Sequence, residues 1–192
     1  PIIRNAQGQL LIPGSQLKGR LRHECEKLAQ SLGWTVFESP SAPALDYRNN
    51  NVPDDRTLES VESYPGRHCL ISRIFGNPIL PSRILVDDLV CPLPKKDLPE
   101  VLRPGVTINR RRRVAEDQKF FLLETSPSQL EFYGEIRLLP DLPPQAIPLI
   151  LAGLRHIYAL GGGKSTGLGW LTWKNIDAPS GDLDWSQLIP AE

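Results

Sequence analysis

Two apolar stripes of helical period, one near each end of the chain, constrain its fold more than any other feature. Leu17, Leu21, Cys25, Leu28 and Leu32 recur at spacings of four, four, three and four. They predict a helix that opens at Ser15 as N-cap and closes at Gly33. Ile147, Ile150, Leu151, Leu154, Ile157 and Tyr158 predict a second helix ending at Gly161-Gly162-Gly163. Between the stripes, Leu130, Phe132, Ile136 and Leu138 alternate with Glu131, Tyr133, Glu135 and Arg137. This predicts a half-buried strand, joined through a Ser126-Pro127-Ser128 turn to an antiparallel partner at Lys119 to Glu124. A further strand is expected from Leu168 to Ile176, and the run Leu70 to Phe75 suits a helical turn as well as a strand. Strands flanking both helices, with one antiparallel pair, fit an α+β sheet with helices on one face better than a doubly wound parallel sheet.

Length allows one substantial core, so a single domain over 1–177 is expected, with a polar insertion at about 38–67 and a tail at 178–192. Lys plus Arg and Asp plus Glu each number 22, so bulk charge does not announce a polyanion partner and any such argument must rest on local charge. The three cysteines, Cys25, Cys69 and Cys91, lack the dense even pattern of a stapled secreted domain, which points to a reducing, cytoplasmic setting. No apolar run approaches the roughly 18 residues of a membrane span, and the N-terminus lacks the layout of a signal peptide.

Three local constellations stand out. In Ile12-Pro13-Gly14-Ser15-Gln16-Leu17-Lys18-Gly19-Arg20-Leu21-Arg22, three cations enter the opening turns of a helix, where the macrodipole favours acids. A bound anion explains them: helix N–H groups, the Ser15 hydroxyl, Lys18, Arg20 and Arg22 would cradle a phosphate, with Gly14 and Gly19 permitting close approach. A surface helix whose cations pair with Glu24 and Glu26 explains them equally well. The second constellation is Leu160-Gly161-Gly162-Gly163-Lys164-Ser165-Thr166-Gly167-Leu168-Gly169. A nucleotide-triphosphate loop would need glycine five residues before Gly163, where Tyr158 stands, and would run from strand to helix rather than helix to strand. What remains is a flexible loop whose Gly162, Gly163, Lys164 and Ser165 suit a sugar-phosphate backbone. The third is Asn109 followed by Arg110, Arg111, Arg112 and Arg113, planar guanidinium groups that suit phosphates and stacked bases.

Histidine and cysteine chemistry is less developed. His23, Cys25, His68 and Cys69 are the zinc candidates, yet neither pair has the two-residue gap of a Cys-x-x-Cys knuckle, and Cys25 already belongs to the apolar stripe. A structural zinc is the one cofactor these residues themselves suggest, and none is assigned with it. His156 is a general-base candidate that its place at a helix C-terminus explains without catalysis. Asp54 and Asp55 fall in the polar insertion, where paired acids are usually solvated.

The order Ile12-Pro13-Gly14-Ser15-x-Leu17-Lys18-Gly19-x-Leu21-Arg22, then Ile74-Phe75-Gly76, then the basic stretch before Phe120-Phe121 and Glu124, then the loop Gly161 to Gly169 resembles the RAMP superfamily of CRISPR-associated proteins. It is most similar to the backbone subunits of type III effector complexes. The resemblance implies a modified ferredoxin-like core of the RNA-recognition-motif type, with a thumb hairpin at about 105–125. It further implies a scaffold subunit that binds guide RNA, organises the guide-target duplex and contacts other effector subunits. Ser15, Lys18, Arg22 and the loop at Gly162 to Ser165 would touch guide-RNA phosphates, and the region from Ile108 to Phe121 would lie over the duplex, leaving sequence to base pairing. A histidine-dependent guide-processing endoribonuclease of the same superfamily is the alternative. In cleaving members an aspartate precedes, by two positions, the segment matching Pro1 to Arg4. Target cleavage, with its divalent metal, would therefore rest on an acid upstream of Pro1 and is assigned to no residue here.

Overall fold

A computed structural model describes residues 2–37, 55–99, 101–178 and 184–190; positions 38–54, most of the expected insertion, and parts of the tail lie outside the described residues. In chain order the elements are β1 (Leu11–Ile12), α1 (Gly14–Ser31), β2 (Glu59–Ser60), β3 (Arg67–His68), α2 (Leu70–Phe75), β4 (Ile84–Val86), β5 (Leu89–Val90), β6 (Val101–Asn109), β7 (Val114–Thr125), β8 (Ile136–Leu138) and α3 (Ala146–His156). The fold is α+β, and among the described residues every paired strand is antiparallel: β1 with β5, β2 with β3, β4 with β8 and β6 with β7. Among the described residues no helix is long and apolar enough to cross a membrane. The chain forms two units, one of residues 1–14 and 87–135, the other of 15–86 and 136–192.

In the second unit both predicted helices form, but α1 ends at Ser31 and α3 at His156, so Leu32, Ile157 and Tyr158 fall outside them. Leu17, Leu21, Cys25 and Ala29 of α1 are buried, together with Ile71 and Ile74 of α2 and Leu149 and Leu154 of α3. Each buried Leu or Ile side chain among them contributes about 1.5–3 kcal/mol by leaving water. Gly153 lets α3 approach α1 closely: a Cβ there would sit 2.6 Å from Cys25 Sγ and 3.0 Å from Leu21 Cδ1. Pro148 falls in the first turn of α3, where its missing N–H costs nothing. Past α1, Gly33 takes φ 89, a left-handed stop that glycine tolerates. Residues Leu70 to Phe75 resolve to a helix, α2.

In the first unit, Leu10, Cys91 and Leu98 make a small core against which Ile2, Leu130 and Phe132 pack. Arg4 and the Ile2 N–H both reach the Glu124 carboxylate, at 3.4 and 3.2 Å. The Ile2 N–H first, and then the Arg4 guanidinium, hold that acid below its ordinary value. Gly134 is fixed by a close approach, since a Cβ would lie 3.0 Å from the Asp88 carbonyl.

Two pairings differ from the sequence expectation. The partner of Lys119 to Glu124 is the upstream strand β6, with Val106 opposite Phe120 and Leu102 opposite Glu124, rather than the segment from Leu130 to Leu138. The turn that closes a hairpin is at 110–113, where the Asn109 side chain accepts the N–H groups of Arg111 and Arg112 and Arg113 takes φ 55. The alternating stretch after Pro127 divides instead: Leu130 and Phe132 pack on the first unit's core, while Ile136 and Leu138 pair with Val86 and Ile84. The expected strand from Leu168 to Ile176 reduces to one bridge, Ala159 with Trp170, because left-handed Gly169 and a positive φ at Asn175 interrupt it.

Candidate nucleic-acid interface

The basic residues of α1 are engaged within their own unit. Lys18 Nζ donates to Ser82 Oγ at 2.7 Å and to the Ile84 carbonyl at 3.3 Å; burial, reinforced by the nearby Arg22 cation, depresses its pKa. Arg20 meets Glu24 at 2.7 Å, and Arg22 meets Glu26 at 2.9 Å while donating to the Gly76 carbonyl at 2.9 Å. Pairing with Glu24 and Glu26 thus accounts for both arginines. It also explains the Phe75-Gly76 step. Gly76 has φ 84 and a Cβ would fall 2.7 Å from Ser82 N, so only glycine turns the chain here and offers its carbonyl to Arg22. Arg22, Phe75, Gly76, Asn77 and Ser82 line a shallow cleft of about 460 Å³. Ser15 lies in the first turn of α1 rather than before it, with its side chain exposed, and the helix's first N–H, at Gly14, donates to the Asp88 carboxylate at 2.7 Å.

The glycine loop has the opposite character. Its neck is closed by Leu160 N–H to the Gly169 carbonyl at 2.9 Å, by Leu171 N–H to Tyr158 at 2.9 Å, and by the Ala159–Trp170 bridge. Inside it, Gly161, Gly163 and Gly167 all take positive φ, and Thr166 and Leu168 fold back onto the Gly163 carbonyl. Residues Gly161 to Gly167 are exposed. Among the described residues the N–H groups of Gly161, Gly162 and Gly163 have no acceptor and Lys164 has no ion pair. Donors without acceptors among the described residues, with one ammonium beside them, are the chemistry an anion requires. A Cβ on Gly161 would lie 3.9 Å from the Gln16 amide nitrogen, so the second unit sets this loop beside the first turn of α1. The contact joins Gly161, at the start of the loop, to Gln16, the residue after Ser15.

The four arginines occupy the β6–β7 turn of the other unit. Arg110, Arg111, Arg112 and Arg113 are exposed and, among the described residues, in no ion pair. The hairpin that carries them leaves Ile108, Phe120, Phe121 and Leu122 more than half exposed, and the Phe121 ring covers Gly105.

The zinc candidates are not grouped. Among the described residues no set of three or more His, Cys, Asp or Glu is placed to hold a metal ion. Cys25 is buried with its Sγ 3.5 Å from the Leu149 carbonyl, and burial together with Glu26 and Glu24 pushes its thiol pKa up. Cys69 Sγ meets Ser72 Oγ at 3.3 Å. His23 is exposed, 4.0 Å from Glu26, whereas His68 is fully buried and burial lowers its pKa. His156 ends α3, exposed. Asp55 serves the backbone: it accepts from the Thr57 N–H at 2.8 Å and from the Thr35 hydroxyl, and these bonds lower its pKa. Sequence reasoning overlooked Asp88 as the acceptor at the start of α1, and the aromatic residues at the neck of the glycine loop, although Tyr158 and Trp170 bracket that loop in the sequence.

An α+β chain of antiparallel pairs, with an arginine-tipped hairpin and an open glycine loop after its last helix, defines the class. The RAMP superfamily model matches residues 1–172, and the chain belongs to that superfamily. Among solved structures, a chain of a "Type IV-B CRISPR Complex" is similar at a TM-score of 0.56 and 21% identity, over 100% of this chain and 88% of that one; the likeness is one of fold. Comparison with curated proteins gives no match.

Proposed function

We propose that the chain is a guide-RNA-binding subunit of a CRISPR effector complex that holds the RNA by its backbone and works beside other subunits and a target RNA, in the cytoplasm. The observation that carries this is the open glycine loop, whose Gly161 to Gly163 N–H groups have no acceptor and whose Lys164 has no ion pair among the described residues, near Gln16 in the first turn of α1, in a chain of the RAMP superfamily. The arginine-tipped hairpin is the second contact, the thumb over the duplex. The Ile12 to Arg22 motif supports assignment to type III, and the fold of the Type IV-B chain makes that class the comparator. Histidine-dependent processing draws less support, because among the described residues neither His23 nor His156 is hydrogen-bonded to the loop, and His68 is closed to solvent.

The test is binding of a labelled CRISPR repeat-spacer RNA across a salt series. Tight binding with a steep salt slope is expected, shallower by roughly one unit or less in Lys164→Ala. Gly19→Ala separates contact from folding. Gly19 is helical with open space at its Cβ position, so alanine raises stability by about 1 kcal/mol while the added methyl weakens any RNA lying against the backbone there. Salt-independent binding, unaffected by Lys164→Ala, would exclude the backbone clamp.

A further inference from the structure

Tyr158 and Trp170 stand on the two strands of the loop's neck, on either side of its closing bonds. Their ring centroids are 5.3 Å apart with planes inclined by 42°. Neither ring is covered by the chain: Tyr158 is 55% and Trp170 66% exposed. Trp173, by contrast, spends its Nε1 on the Ile157 carbonyl at 2.9 Å and is half-buried. Among the described residues the Tyr158 hydroxyl and Trp170 Nε1 have no hydrogen-bond partner. The pair nonetheless has a fixed base. The Ala159–Trp170 bridge and the Leu171-to-Tyr158 bond tie both backbones together, and Gly169 leaves no slack, since a Cβ there would fall 1.9 Å from the Leu160 carbonyl oxygen. Large aromatic surface left in water costs free energy unless something covers it.

We propose that Tyr158 and Trp170 form a stacking platform for an unpaired RNA base. This rests on the backbone-clamp function above and adds a base contact to it. The loop's N–H groups and Lys164 take a phosphate, and the aromatic pair at the foot of the same loop receives a base of the same strand segment. Stacking on an aromatic face tolerates every base, so the platform secures a nucleotide without reading it. The charge beside it favours a polyanion: Lys164 carries no ion pair among the described residues, and the adjoining Gly161 to Gly163 offer only donors.

The experiment compares wild type, Trp170→Ala and Trp170→Phe on a single-stranded RNA and on the same RNA with abasic nucleotides, each across a salt series. Removing a stacked base contact weakens intact RNA about 5- to 150-fold. Trp170→Phe restores most of that loss. All three proteins bind the abasic RNA alike, with an unchanged salt slope. Equal losses on intact and abasic RNA, or no loss with Trp170→Ala, overturn the platform. If wild type still binds with a steep slope sensitive to Lys164→Ala, only the platform fails; if wild type binds no RNA, the clamp fails with it. Loss of another effector subunit from Trp170→Ala, with RNA affinity intact, assigns the rings to a protein partner and also overturns the platform.

Discussion

Gly169→Ala is expected to collapse the glycine loop and remove most RNA affinity, a larger loss than Lys164→Ala causes. The new Cβ would fall 1.9 Å from the Leu160 carbonyl oxygen and 3.0 Å from its carbon, at a residue with φ 73. No side-chain rotation relieves a clash with backbone, so the Leu160 N–H to Gly169 bond has to break. Left-handed strain of about 1–3 kcal/mol joins a lost hydrogen bond of about 1 kcal/mol. Chemical denaturation and RNA binding measure the two consequences. Gly162→Ala is the control: nothing lies within 4 Å of its Cβ position, and stability should change by less than about 1 kcal/mol.

The second large effect is at the helix contact. Gly153→Leu should cost about 3 kcal/mol or more, because even the first added carbon meets Cys25 Sγ at 2.6 Å and Leu21 Cδ1 at 3.0 Å. The milder Gly153→Ala identifies the cause. In a Cys25→Ala background its penalty should shrink by about 0.5–3 kcal/mol, the coupling expected of residues in contact. Additive losses would show that α1 and α3 do not meet at this pair.

Both helices were legible in the sequence because a stripe at helical spacing survives without knowledge of its partner. The glycine loop was legible as a loop because clustered glycines accept the left-handed backbone that Gly161, Gly163 and Gly167 take. Strand pairing was not legible. The alternation from Leu130 to Leu138 fits one buried face, yet Leu130 and Phe132 pack on one core while Ile136 and Leu138 pair with β4, and nothing local marks that division. The partner of Phe120 and Phe121 lay upstream, across the Asn109 turn, where a basic run masks a tight hairpin. The cations of α1 illustrate another boundary. A macrodipole argument flags Lys18, Arg20 and Arg22 as misplaced, but Ser82, Gly76 and the Ile84 carbonyl, which engage Lys18 and Arg22, come from distant sequence.

The most direct measurement of the central claim is amide hydrogen exchange of the chain alone and saturated with guide RNA. Free, the N–H groups of Gly161 to Gly163 should exchange rapidly, being exposed and without acceptors among the described residues. Bound, peptides covering 161–167 and the arginine turn at 110–113 should become protected. Unchanged exchange at 161–167 under saturating RNA, with protection elsewhere, would contradict the account.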